Sequence, residues 1–200
     1  MKKQRSILTA SLGLLLLAGC GGGLRSGEVR ALGQSAEEKE LLALTSTGER
    51  SRAAYSCAWD GASDQLRLEL LSWEDGAWTV LADLGEIAFE GSRDPRQFGL
   101  VVEEDALTVN VDSGTRLSVS LDELRPELEE RENWAVGWTW SEGGVCTAGE
   151  RLPLYLELRS GGTDLPAFGG MEHFSDLEQL DRFDHAYAVT AVLCTEGEAK

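Results

Sequence analysis

A chain of 200 residues with 18 basic and 35 acidic side chains, a net charge of −17 and 26% charged residues is long enough for one domain with a sizeable core. Its acidity excludes nucleic acid and anionic membrane surfaces as partners recognised by charge, because both need clustered Lys and Arg. Solubility and repulsion between neighbours account for the excess acid.

The first element in chain order is a targeting segment. Lys2, Lys3 and Arg5 precede a largely apolar run of twelve residues, Ile7 to Ala18, with no acid before residue 20. This is a charged n-region followed by a short h-region. A spanning helix needs about 20 residues, so the run is too short to remain as a transmembrane anchor. It ends Leu17, Ala18, Gly19, Cys20, and this resembles the lipobox of bacterial lipoproteins. The resemblance covers residues 1–20. It implies cleavage between Gly19 and Cys20, with a thioether-linked diacylglycerol on Cys20. Each buried methylene contributes about 0.8 kcal/mol, and two acyl chains hold where one is marginal. The implied location is the cell membrane, or the outer membrane in a host with two, because Gly21 is not the aspartate associated with inner-membrane retention. The membrane is then a partner through the lipid, and the folded part faces away from the cytoplasm. Loss of residues 1–19 removes three basic residues and no acid, so the mature chain carries −20.

Residues 20–50 read as the lipidated N-terminus and a tether. Gly21, Gly22 and Gly23 open it, and Ala36 to Leu44 forms one short helical stretch, with Ser35 and Glu38 in capping-box spacing. From Arg52 the apolar period becomes two: Leu66, Leu68 and Leu70; Trp78, Val80 and Ala82; Leu107, Val109 and Val111; Leu117, Val119 and Leu121. Turn residues separate these runs, at Asp60-Gly61, Glu74-Asp75-Gly76 and Asp112-Ser113-Gly114. Later strands are Trp134 to Ser141, Leu152 to Arg159 and His185 to Thr195, the last apolar enough to be a central strand buried on both faces. Two helical insertions are expected, Leu124 to Glu132 with Pro126 near its first turn, and Asp176 to Phe183 capped by Ser175 with Glu178. About ten short antiparallel strands predict an all-β fold, a β-sandwich or jelly roll, as a single domain over residues 51–200.

Trp134, Trp138 and Trp140 fall on one strand face with Val136 between them. Such rings are either core, since each buries a large apolar area, or a platform on which a sugar stacks. The longest irregular stretch, Ser160 to His173, mixes glycines with Phe168, Met171 and His173 and is a second candidate for ligand contact. With Cys20 committed to lipid, Cys57, Cys146 and Cys194 allow one disulfide. Cys57 with Cys194 is the expected pair, as they stand near the two ends of the domain, and a reduced buried set is the alternative.

Val111, Asp112, Ser113, Gly114 and Thr115 are similar to the Asp-Ser/Thr-Gly motif of aspartic proteases, in which paired carboxylates share a proton. One copy would require a homodimer, and a hairpin turn explains the same residues. Asp60 with Asp64, and Glu103 with Glu104 and Asp105, lack EF-hand spacing. His173 and His185 match no zinc pattern. No Gly-x-Ser-x-Gly elbow, His-Glu-x-x-His or Ser-x-x-Lys is present. The expectation is a tethered binding domain, more a non-enzyme than an enzyme, needing no cofactor or metal. Its partner would be a glycan or an envelope protein.

Overall fold

The computed structural model describes residues 23–33, 51–90, 94–111, 115–125 and 133–195. Among them eleven strands form two sheets. The first sheet has the order β7-β6-β5-β2-β1-β9, built from β1 (Glu28–Ala31), β2 (Ser51–Cys57), β5 (Arg96–Val102), β6 (Ala106–Val111), β7 (Thr115–Ser120) and β9 (Gly143–Val145). The second has the order β4-β3-β11-β10-β8, from β3 (Gln65–Glu74), β4 (Ala77–Ala88), β8 (Trp134–Trp140), β10 (Leu152–Gly161) and β11 (His185–Cys194). The strands pair antiparallel throughout both sheets. This is the all-β sandwich that the period-two pattern predicts.

Inward side chains of both sheets make the main core. Leu66, Leu68 and Leu70 of β3 and Val189, Ala191 and Leu193 of β11 face Tyr55, Phe98, Leu100, Leu107 and Val109 of the first sheet. Tyr55 ties the layers together: its ring stacks on Phe98 at 5.4 Å, and its hydroxyl donates to the carbonyls of Leu154 and Ser141 at 2.9 and 3.1 Å. As its composition predicts, β11 is central and buried on both faces. The hairpin between β3 and β4 turns at Asp75 and Gly76, both at positive φ (50° and 78°), as a two-residue turn of the I′ kind requires.

Several expectations are corrected. Part of the segment read as a tether is structure, since β1 lies between β2 and β9 and Val29 is fully buried. A four-residue strand bounded by glycines carries too short a pattern to announce itself. The helical stretch at Ala36 to Leu44 lies outside the described residues. The alternation predicted for Trp78, Val80 and Ala82 does not hold, because bulges in the β3–β4 ladder shift its register. They leave Val80 exposed and turn Leu84 and Ile87 inward. Leu121 belongs to helix α1 (Leu121–Leu124) rather than to a strand, and Leu117 is exposed on the edge strand β7. That helix is one turn long, capped by Ser120, and ends where the predicted one begins; residues 126–132 lie outside the described set. Helix α2 (Leu177–Leu180) is also one turn, and Asp176, not Ser175, caps it by accepting from the Gln179 amide.

A third layer lies outside the two sheets. The segment after β10 folds back over the outer face of the second sheet through a 3₁₀ turn (Met171–Phe174) and α2. Leu165, Phe168, Met171, Phe174, Leu180 and Phe183 cover Leu71, Leu156, Leu158, Ala186 and Ala188. Its ends are pinned together, for Asp184 accepts from the Gly161 amide at 2.7 Å and its own amide donates to the Arg159 carbonyl at 3.0 Å.

Candidate binding surface

Strand β8 reads Trp-Ala-Val-Gly-Trp-Thr-Trp, seven residues without a charge, and it ends the second sheet beside β10. The Ser141 amide donates to the Leu154 carbonyl, and the Asn133 carbonyl accepts from the Gly162 amide. Odd-numbered residues of β8 therefore turn their backbone groups toward β10. The N–H and C=O of Val136 and Trp138 point off the sheet edge, because successive residues alternate in direction.

The three tryptophans share the face that carries Tyr155, Glu157 and Arg159 on β10, yet they occupy different surroundings. Trp140 packs on Tyr155 with ring centres 4.7 Å apart and joins the main core. Trp134 meets His185 edge-on at 5.1 Å. Trp138 is 52% exposed, and Val136, two residues before it on the same face, is 40% exposed. The expected platform of three rings is thus divided into packing and one presented indole.

Behind Trp138 lies a buried ionic network. Its cross-strand partner Glu157 accepts from Arg159 Nε at 2.7 Å, from Arg125 Nη1 at 3.1 Å and from the Tyr155 hydroxyl at 2.7 Å. The Arg125 guanidinium also lies 4.8 Å from the centre of the Tyr187 ring, a cation–π contact. Burial by itself would raise the Glu157 carboxyl, but the Arg125 and Arg159 guanidiniums and the bonds from Arg159 and Tyr155 hold it below the usual carboxylate range. Burial, then the Glu157 charge, pushes the Tyr155 hydroxyl upward. Trp138 therefore stands beside a hydrogen-bonded ionic network.

Phe168 and His173 do not join this surface. Both belong to the layer on the opposite face of the sheet, where Phe168 packs into the outer core and His173 lies edge-on to Phe168 and Phe183 at 5.5 and 6.4 Å. The stretch read as a ligand loop is a cover. Its signal was present in the spacing of Leu165, Phe168 and Met171, but apolar residues among glycines match neither sheet nor helix period.

The disulfide expected between Cys57 and Cys194 is not formed. All three described cysteines are free and buried, and each thiol faces a backbone carbonyl: Cys57 that of Ala58, Cys146 that of Ala191, Cys194 that of Gln65. Cys57 ends a strand of the first sheet and Cys194 one of the second. Burial, with smaller contributions from Cys146 and Asp60, pushes the Cys57 thiol up to about 12. The thiolate is the reactive form. A disulfide-exchange reagent at pH 8 is therefore expected to leave Cys57 unmodified in the native protein and to modify it within minutes in denaturant, as read by mass spectrometry.

Asp60, considered as a cation ligand, is occupied by its own turn, where it accepts from the amides of Ala62 and Ser63 and from the Ser63 hydroxyl at 2.7–2.9 Å. Asp112 lies outside the described residues, while its neighbours Val111 and Thr115 pair with each other across the β6–β7 ladder. Cys20 also lies outside them. Comparison of the chain with known protein families, characterised proteins and solved structures gives no match.

Proposed function

We propose that this is a lipid-anchored, extracytoplasmic binding module that meets an envelope partner through β8. A single observation carries the contact surface: an uncharged edge strand presents Trp138 and Val136 side by side, with outward backbone groups, beside a hydrogen-bonded ionic network. The anchor rests on the resemblance of residues 1–20 to a lipoprotein signal, and among the described residues no helix is long and apolar enough to cross a membrane. A glycan is the second reading, favoured by the half-exposed indole of Trp138, whose flat face suits a sugar ring.

Two measurements test this. In the producing cell, wild type is expected to pellet with membranes and to take up labelled palmitate, and Cys20→Ser to lose both; membrane retention by that variant would refute the anchor. For the surface, purified envelope polysaccharide is the probe. Trp138→Ala should weaken co-pelleting about tenfold, the effect of ~1.4 kcal/mol, and Trp138→Phe should weaken it less. Equal pelleting by all three would discard the glycan.

A further inference from the structure

Strand β8, Trp134-Ala135-Val136-Gly137-Trp138-Thr139-Trp140, keeps Trp at both ends and Gly at its centre when reversed about Gly137. Reversed, Trp falls on Trp, Ala on Thr, and Val on Trp. We propose that β8 pairs antiparallel with β8 of a second copy about a two-fold axis at Gly137, joining the second sheets of two molecules into one continuous sheet. The inference rests on β8 being the contact strand and names what it contacts.

The register follows from the backbone. With Gly137 opposite Gly137 as a non-hydrogen-bonded pair, Val136 stands opposite Trp138 of the second copy. Those are the residues whose N–H and C=O point off the edge, so each Val136 exchanges both backbone bonds with that Trp138. The side chains then form two symmetric pairs of a β-branched residue with an aromatic ring, a favourable cross-strand combination, and the exposed surfaces of Trp138 and Val136 become covered. A two-fold contact of this type closes on itself and does not propagate into fibres.

Among the described residues, the other sheet ends are protected and β8 is not. Strand β9 is three residues long. Strand β4 carries Asp83 and Glu86 and is bulged against β3, and it meets β7 across a shallow cleft of about 430 Å³ lined by Asp83, Gly85, Glu86, Leu117 and Ser118. Charges, short length and bulges are the devices by which proteins keep sheet edges apart. Strand β8 has no charge or proline, and its ladder to β10 runs without a break. In a chain of net charge −17, an uncharged edge is where two copies meet at least electrostatic cost. The apolar area that Val136 and Trp138 supply is far below the ~800 Å² per partner of a standard interface. The dimer is therefore weak in dilute solution and is favoured where anchored copies share one membrane plane.

The test uses the full lipidated chain in detergent micelles. Sedimentation equilibrium should show monomers passing to dimers as concentration rises, and amide exchange at Val136 and Trp138 should slow in step, while exchange in β7 does not change. Val136→Lys, which puts a charge in place of the apolar partner of each Trp138 and sets the two lysines diagonally across the two-fold axis, should weaken dimerisation at least tenfold; unchanged protection of β11 amides verifies its fold. A chain monomeric at every concentration overturns the proposal. So does a dimer in which exchange at Val136 and Trp138 is indifferent to concentration, or one unaffected by Val136→Lys. A monomeric chain whose polysaccharide binding still depends on Trp138 would overturn the dimer alone, leaving β8 as the contact strand; loss of both removes the contact-strand reading too.

Discussion

Glu157→Gln is expected to lower the free energy of unfolding by about 3–5 kcal/mol, the cost of leaving buried charges without their counter-ion. The side chains of Arg125 and Arg159 are 4% and 15% exposed, and both direct guanidinium nitrogens at the one carboxylate. An amide of the same shape retains the volume and the hydrogen-bond acceptor but strands the two cations. Replacing Arg125, Glu157 and Arg159 together by apolar residues should recover much of the loss, because the desolvation cost of the ions disappears with them. The pH dependence follows from the direction of the shift. The Glu157 carboxyl is depressed in the folded chain, so its contribution is fully present above the ordinary carboxylate value near 4.3 and is lost as pH falls through the lower folded value. Urea unfolding from pH 7 down to pH 3 should show wild type losing stability below about pH 4, with its advantage over Glu157→Gln shrinking over the same interval. A constant gap down to pH 3 would contradict the network.

Leu180→Ala is expected to cost about 2–5 kcal/mol, as a deleted leucine in a closed core does. Leu180 is fully buried between α2 and the sheet, beside Leu71, Leu156 and Leu158. The cover is also held by Trp78, which stacks on Phe174 at 5.0 Å and donates its indole N–H to the Phe174 carbonyl. Trp73 adds a bond to Asp181 at 2.9 Å. Urea titration reads the loss, and limited proteolysis should cut the variant at Gly169-Gly170 faster than wild type, because the loosened cover opens locally before the sandwich does.

The sandwich was legible because it depends on local alternation. Leu66, Leu68 and Leu70, and Leu107 with Val109, lie in the core as their spacing predicts, and Asp75-Gly76 makes the turn its residues demand. Reading failed in β10, which is buried on both faces although polar residues alternate along it. In β10, Leu154, Leu156 and Leu158 alternate with Tyr155, Glu157 and Arg159, a pattern that ordinarily assigns the second set to water. Instead the cover buries one face and Arg125 closes over the other. No local signal marks Glu157 as the centre of an ionic network, because the arginine across from it comes from 32 positions away.

By itself the sequence determined an extended chain with period-two strands around a central apolar one, and it supports the expectation of a lipid anchor at Cys20 through the residues that precede it. These are local properties, set by side-chain alternation, turn geometry and the order of charged and apolar residues. Tertiary structure alone decided that β1 enters the sheet, that Phe168 and His173 close an outer core, that the three thiols are buried and free, and that of the tryptophans on β8 only Trp138 is largely presented. Each of these depends on which distant strand or cover lies against a face, and burial of that kind is a property of the packed layers rather than of any short run of residues.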